Sequence, residues 1–297
     1  ATSTSTGRDD ILKSGGMTVN SSDGPPQPSP PRSSSLGPMA IADSYDGFLL
    51  DLDGVVWLGH EFLPGAADAI NGLIAAGKPV AFITNSPRIP RSETAQILRD
   101  GGVAVRDELV VTAASTLISR ALEELEGNPA VIAIGTGPFR EQIAGAGLRL
   151  LELDQWREAG AVLVSGHNGF NYDELKAAAM AARAGAPLIA TGHDPTMPMP
   201  DGLWPGTGSI VAAIETASGR KAVTTGKPEP AIFEAGLDAI GRPHRVAMVG
   251  DRIDTDISGA QAIGVAGILV TTGATSAEEL AASPIEPDHL IESLSEL

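Results

Sequence analysis

From Tyr45 onward the chain alternates short apolar runs with longer stretches of helical periodicity, while the residues before it follow neither period. That alternation predicts strands joined by crossover helices, and so an α/β fold built on a mostly parallel sheet. Four of the runs end in a polar residue capable of chemistry. Phe48-Leu49-Leu50 leads to Asp51, Val80-Ala81-Phe82-Ile83 to Thr84, Val223-Thr224-Thr225-Gly226 to Lys227, and Val246-Ala247-Met248-Val249-Gly250 to Asp251. Open parallel sheets bind ligands beyond the carboxyl ends of their strands, so these four residues are expected to converge.

Between 128 and 215 a second group of elements appears: AVIAIG, a helix over PFREQIAGAG, LRLLEL, AVLVSG, a helix over YDELKAAAMAARAG, and PLIATG. Because polar-ended runs lie on both sides, the segment reads as an α/β cap inserted into a Rossmann-like core. The expected division is a catalytic core of 44–127 and 216–297 and a cap of 128–215. The closing stretch of the cap, His193 to Gly208, holds four prolines without periodicity and predicts a long functional loop. Residues 1–43, rich in Ser, Thr, Pro and Gly, predict a disordered tail.

Composition narrows the function. With 297 residues of which 42% are hydrophobic, the chain can bury a sizeable core, and 4% aromatic content with abundant Ala and Gly suits closely packed α/β layers. The absence of cysteine excludes disulfides, thiolate metal sites and a cysteine nucleophile, and fits a cytoplasmic location. A formal net charge of −17 repels nucleic acid and anionic lipid, so an anionic substrate needs a local cationic pocket. No apolar run reaches the roughly 18 residues that cross a bilayer.

Asp51-Leu52-Asp53-Gly54 places two carboxylates on one side of an extended backbone, where a hard divalent ion, Mg2+ foremost, would relieve their repulsion. An Asp-Gly turn is the competing reading. Asp251 could complete such a site, Asp256 suits the first turn of a following helix, and Asp254 reads as solvated. Lys227, after a strand and before a Pro-marked helix, is a fixed cation able to pair with Asp51 and a phosphate. Thr84, Asn85 and Ser86 offer hydroxyls, an amide and turn N–H groups for phosphate oxygens, or simply a capping turn, and Arg88 and Arg91 could add positive potential. His60, His167, His193, His244 and His289 show no ligand spacing, Trp57, Trp156 and Trp204 read as packing residues, and Met180 as core. Gly135-Thr136-Gly137 and Gly206-Thr207-Gly208 lack the full dinucleotide-binding fingerprint and read as turns.

Asp51-Leu52-Asp53-Gly54-Val55, Thr84-Asn85, Gly226-Lys227-Pro228 and Gly250-Asp251-Arg252 with Thr255-Asp256 together resemble the four ordered motifs of the haloacid dehalogenase superfamily of phosphohydrolases. PGTGSIVAAIETASGR running into TTGKPEP resembles its capped branch, subclass IIA, which contains p-nitrophenyl phosphate, phosphoglycolate, glycerol-phosphate and pyridoxal-phosphate phosphatases. The resemblance implies a Mg2+-dependent phosphatase that hydrolyses a small phosphate monoester through an aspartyl phosphate. It implies Asp51 as nucleophile and metal ligand, Asp53 as general acid/base and ligand through its backbone carbonyl, and Asp251 as the second carboxylate ligand. Thr84 and Asn85 would hold the transferring phosphoryl group, Lys227 would bind it and orient Asp51, and Asp256 would support the metal shell. The branch often carries a second Asn where this chain has Ser86, which puts one phosphate or cap contact in question.

By the same resemblance Met197 faces the leaving group, at a position where pyridoxal-phosphate phosphatases carry histidine. An apolar Met there favours a small aliphatic phosphate, glycerol phosphate or phosphoglycolate, unless Met197 merely fills the cap core. The competing readings are a pyridoxal-phosphate or nucleotide phosphatase of the same fold, a metal-free dehalogenase, and a phospho-acceptor switch domain. The expected partner is a small phosphorylated metabolite, with neither nucleic acid nor membrane, and the branch suggests a homodimer formed through the cap.

Overall fold

The computed structural model describes residues 39–86, 89–125, 127, 129–199 and 201–297. In chain order its strands are β1 (Gly47–Leu50), β2 (Trp57–Leu58), β3 (Glu61–Phe62), β4 (Val80–Thr84), β5 (Val110–Thr112), β6 (Ala130–Ile134), β7 (Arg149–Leu150), β8 (Ala161–Val164), β9 (Leu188–Ala190), β10 (Thr196–Met199), β11 (Gly202–Pro205), β12 (Val223–Thr224), β13 (Val246–Gly250), β14 (Ala266–Val270) and β15 (His289–Ile291). Two parallel sheets result, ordered β15-β14-β13-β1-β4-β5 and β12-β9-β8-β6-β7.

The first sheet is covered on both faces, which is why β1, β4 and β13 are apolar along their lengths and buried at every position. Alternate side chains supply the two layers. Phe48, Leu50 and Phe82 pack with Ile70, Leu73, Ala95 and Leu98 from helices Ala66–Ala75 and Arg91–Asp100. Leu49, Ile83 and Met248 pack with Ile232 and Phe233 from helix Pro230–Ala239 on the other face. The second sheet repeats the plan. Helices Tyr172–Ala184 and Thr207–Ser218 bury Ala178, Ala181, Ala182, Ile210, Val211 and Ile214 on one side, and small alanines let these helices lie close. Leu117, Ala121, Phe139 and Ile143 from helices Ala113–Glu124 and Gly137–Gly145 cover the other.

Several elements differ from the sequence expectations. The predicted tail lies outside the described residues up to residue 38, but Met39–Asp43 is a short helix and Ala42 packs into the first core. Helix Ala113–Glu124 follows β5 without a loop, because the Thr112 hydroxyl accepts from Ser115 N–H in a capping box, and it packs on the second sheet although the sequence groups it with the first. The Pro-rich stretch after His193 is an antiparallel hairpin, β10 with β11, in which Met197 pairs with Trp204. A lone two-stranded ribbon has an outer edge where missing N–H groups cost nothing, so it accommodates proline. Met180 is not core: it lies on the outer side of its helix, 37% exposed. Among the described residues no helix is long and apolar enough to cross a membrane.

Candidate active site

Strand order in the first sheet reverses at β1, which runs on to β4 and β5 on one side and neighbours β13 on the other. Asp51 follows the last residue of β1 and Asp251 the last residue of β13, so the two carboxylates sit side by side at the switch point, where α/β sheets leave a crevice. Asp51 is fixed by its own N–H, which donates to Val249 O at 2.9 Å. Asp251 accepts from Ala274 N–H at 2.7 Å, and Thr272 donates to Gly54 O at 2.6 Å, so the loop after β14 closes one wall of the site. Gly54 and Gly273 make this approach possible, since a Cβ on either would collide with Asp251 Oδ2.

Lys227 reaches the same place by another route. Its predicted strand is β12, but β12 pairs with β9 in the second sheet, so the lysine is not carried by the sheet that holds Asp51. Its ammonium nonetheless lies 2.7 Å from Asp51 Oδ1 and 2.7 Å from Asp256 Oδ1, with the lysine side chain 4% exposed. Asp256 is fully buried, on a single π-helical turn (Ile253–Ile257) rather than an α-helical first turn, and its other oxygen accepts from Arg252 N–H at 3.0 Å. Such turns insert one residue into a helix and recur at functional sites. Asp254 pairs with Arg252 at the surface.

Asp53 stands apart from the buried carboxylates. Its side chain is exposed and its Oδ1 accepts from Trp57 Nε1 at 3.2 Å. Trp57 is a buried anchor, 2% exposed, at the base of the β2–β3 hairpin, whose turn residues Gly59 and His60 both have positive φ, as the commonest tight hairpin turn requires. Thr84 ends β4 and accepts from Ser86 N–H at 3.0 Å, turning the chain over the crevice. Asn85 does something the sequence does not announce: its amide bonds both backbone groups of Lys227, 142 residues away. Arg91 is exposed at the start of its helix, and Arg88 lies outside the described residues. Met197 is half-buried on the β10–β11 hairpin, which lies against helix Thr207–Ser218 and with the second sheet and its helices forms the second layer of the protein.

The electrostatics identify the missing charge. Burial, augmented by Asp256 and Asp251, pushes Asp51 up to about 8 even with Lys227 beside it. Burial and Asp256 push Asp251 up to about 6. Burial alone would lower Lys227, but Asp256 and Asp51 more than offset it and hold the ammonium protonated. Asp51, Asp251 and Asp256 each bring an oxygen within 4.8 Å of the others, against one lysine. Three buried carboxylates and one cation leave an excess of negative charge that a hard, oxygen-seeking divalent ion fits.

Two contributors are hidden in the sequence for different reasons. Trp57 carries a local signal, four residues after Asp53 beside an Asp-Gly turn, but its default reading is packing. The Thr272–Ala274 loop ends a fifth apolar run in polar, Gly-containing sequence, the same pattern that marks the other four. Of the remaining residues singled out, His193 is exposed and lies 3.8 Å from Glu215, and Trp156 stacks under Arg157. Gly206 and Gly208 are contact glycines, since a Cβ on either would strike the backbone at Asp194 or His193.

A family model described as haloacid dehalogenase-like hydrolase matches residues 48–149, and a HAD-hydrolase-like model matches residues 224–297. The chain is 36% identical over 266 residues to chronophin of Mus musculus, covering 84% of this chain and 91% of that protein. It is 35% identical over 238 residues to D-glycerol 3-phosphate phosphatase of Mycobacterium tuberculosis, covering 80% of this chain and 66% of that one. Among solved structures it is similar to a glycerol phosphate phosphatase from Mycobacterium tuberculosis in complex with magnesium, with a TM-score of 0.77, 34% identity, and coverage of 86% of this chain and 77% of that one.

Proposed function

This chain belongs to the haloacid dehalogenase-like hydrolases and is a phosphatase, and we propose that it uses Mg2+ and cleaves a small aliphatic phosphate monoester of the glycerol phosphate or phosphoglycolate type by way of a phosphoryl group carried on Asp51. The observation that carries this reading is the Lys227 ammonium held 2.7 Å from both Asp51 and Asp256 in a buried site. A carboxylate is a weak nucleophile, and phosphoryl transfer through a loose transition state depends on alignment and charge neutralisation more than on nucleophile strength. Lys227 keeps one Asp51 oxygen fixed and leaves the other to face phosphorus.

In this reading an Asp51 oxygen forms a bond to phosphorus as the ester P–O bond breaks, and Asp53 gives its proton to the departing alcohol oxygen. In the second half Asp53 takes a proton from water, the water oxygen bonds to phosphorus, and the Asp51–phosphorus bond breaks. Inorganic phosphate leaves and both carboxylates are restored. The exposed position of Asp53, with one oxygen on the Trp57 indole, suits a group that must exchange protons at the mouth of the site. Thr84 and Ser86, in the turn that closes β4, would hold phosphoryl oxygens. Asp51, Asp251 and the Asp53 backbone carbonyl would hold Mg2+, which would supply neutralisation of the phosphoryl oxygens.

The substrate class rests on the second layer. Met197 offers an apolar, adaptable surface to a short carbon skeleton and no hydrogen bond to a ring substituent. The relative named D-glycerol 3-phosphate phosphatase supports the same class. Steady-state turnover over a panel of glycerol phosphate, phosphoglycolate, pyridoxal phosphate and nucleotide monophosphates, with Mg2+ and with chelator, tests the proposal. Mg2+-dependent release of phosphate with kcat/KM highest for the aliphatic esters is expected, and a nucleotide or pyridoxal phosphate at the head of the ranking defeats it.

A further inference from the structure

Asp51, Thr84 and Asp251 are each delivered by a strand of the first sheet, whose neighbours fix them on both sides. Lys227 lies on no strand of that sheet. It stands three residues after Thr224, the last residue of β12 at the edge of the second sheet, and Thr225 between them bonds both that sheet and Ala113, which is buried in the core of the first. Thr225 N–H and hydroxyl both reach Ala190 O of β9, at 3.0 and 3.3 Å, and its hydroxyl also reaches Ala113 O at 3.0 Å. Lys227 thus sits in the crossing from the edge of the second sheet to helix Pro230–Ala239, which packs on the first, and its ammonium must register with two carboxylates of the first to within hydrogen-bond distance.

Asn85 bridges that gap. It directly follows β4, in the sheet that carries Asp51, and its side-chain amide makes a two-point bond with Lys227: Nδ2 donates to Lys227 O at 2.9 Å and Oδ1 accepts from Lys227 N–H at 2.7 Å. A bidentate amide-to-backbone pair fixes orientation as well as distance, as one bond cannot. The fit is close. A Cβ on Gly226 would lie 2.6 Å from Asn85 Oδ1 and strike Thr191 O, so the clamp closes because that residue has no side chain.

We propose that Asn85 is a positioning residue that acts through Lys227: its amide ties the lysine's backbone to the first sheet and thereby sets the ammonium between Asp51 and Asp256, rather than serving mainly as a ligand of the substrate phosphate. The inference rests on the reading that Lys227 supports transfer to Asp51. Loss of a hydrogen-bonding partner behind a metal ligand costs about 10–100-fold in affinity or activity, and a loss of the same order is expected for a partner behind Lys227.

The test is a double-mutant cycle with p-nitrophenyl phosphate at saturating Mg2+, using Asn85→Ala, Lys227→Ala and the double variant, each checked for its folded state by circular dichroism and thermal unfolding. Asn85→Ala is expected to lower kcat about 10–100-fold with KM changed less than about threefold, and the double variant to be no slower than Lys227→Ala. Asn85→Asp, which keeps shape and the acceptor but turns the donor into a second acceptor facing Lys227 O, is expected to fail equally and serves if the alanine variant does not fold. A loss in the double variant that multiplies the two single losses, or a raised KM at unchanged kcat, overturns the inference and leaves the role of Lys227 standing. Wild-type turnover by Lys227→Ala brings down that role and the inference together.

Discussion

The indole N–H of Trp57 donates to Asp53 Oδ1 at 3.2 Å, so the carboxylate assigned to proton transfer is oriented by a side chain that is itself 2% exposed. Trp57 is locked in turn by edge-on contacts with His60 and Phe62, at ring-centre distances of 5.6 and 5.7 Å. An exposed carboxylate would otherwise sample many rotamers. This hydrogen bond makes one of them dominant.

Trp57→Phe keeps most of the packing and removes the donor. A bond of this kind contributes about 1 kcal/mol, so kcat for an alkyl phosphate should fall roughly fivefold. With p-nitrophenyl phosphate, whose aryl leaving group departs without a proton, the loss should be smaller. Equal losses on both esters would show that the indole supports packing and not proton transfer.

Asp51→Asn should abolish turnover while the thermal unfolding midpoint stays near or above that of the parent, since the change removes one of three buried carboxylates that repel one another. Retention of more than about a thousandth of the wild-type rate would rule out covalent transfer to this residue, because loss of a nucleophile removes several kcal/mol of transition-state stabilisation. Asp53→Asn should stall both half-reactions and leave Mg2+ binding in place, since its proposed metal contact is the backbone carbonyl.

How far the sequence discloses this site follows from which interactions are local. Asp51, Thr84 and Asp251 are legible because each ends a fully buried strand, and in an α/β chain an uninterrupted apolar run closed by a polar residue marks a central strand that delivers a side chain to the crevice. The sequence places Lys227 at the site for a wrong reason: its strand is two residues long and belongs to the second sheet, a pairing decided by β9 and invisible in the run itself. The hairpin at Met197 reads as loop in the sequence because four prolines suppress every strand signal, although a two-stranded ribbon needs only half of the usual N–H donors. The Asn85 clamp joins residues 142 apart and leaves no periodic trace.

Gly54→Ala should cost both stability and metal binding. Gly54 has φ of 80°, and an added Cβ would collide with Asp251 Oδ2. Strain of that kind costs on the order of 1–3 kcal/mol, and here it would displace a carboxylate assigned to the ion. A lowered unfolding midpoint and a Mg2+ activation constant weakened about tenfold or more are expected, the latter matching loss of about 1.4 kcal/mol from one ligand. An unchanged activation constant would mean that Asp251 is not among the ligands.

In the proposed reading magnesium and protons compete for the same carboxylates, Asp51 and Asp251. Burial and neighbouring carboxylates push Asp251 up to about 6 and Asp51 up to about 8, whereas unfolded aspartates ionise at about 3.9. Folded values that lie higher mean that the folded chain holds protons the unfolded chain has released. Their stabilising contribution is therefore fully present below about pH 4 and is lost as pH rises through the two folded values. Cation binding needs the ionised forms and gains over that same range. The rise in unfolding midpoint on replacing chelator with Mg2+ should accordingly widen from about pH 5 to about pH 8, measured by scanning fluorimetry at constant ionic strength. A shift independent of pH would show that these two carboxylates do not exchange protons for the ion.

Substrate choice should reside in the second layer, because the roles proposed for Asp51, Lys227 and Asp251 bring them to the phosphoryl group and the ion alone. Met197 pairs with Trp204 across the β10–β11 hairpin, and the loop that precedes it is held against the start of helix Thr207–Ser218 by the N–H groups of Gly206 and Gly208, which donate to Pro195 O and Asp194 O at 2.8 Å each. The hairpin is therefore a fixed platform whose variable feature is the side chain at 197. Replacing Met197 with histidine exchanges an apolar surface for a hydrogen-bonding ring, and a site with a placed polar partner discriminates by far more than one that loses a methylene. Met197→His should raise kcat/KM for pyridoxal phosphate relative to glycerol phosphate by about tenfold while turnover of p-nitrophenyl phosphate changes little, in line with about 1.4 kcal/mol for one new bond to the substrate. If the ratio stays constant across Met197→His and Met197→Ala, this position packs the hairpin and substrate choice lies elsewhere in the layer.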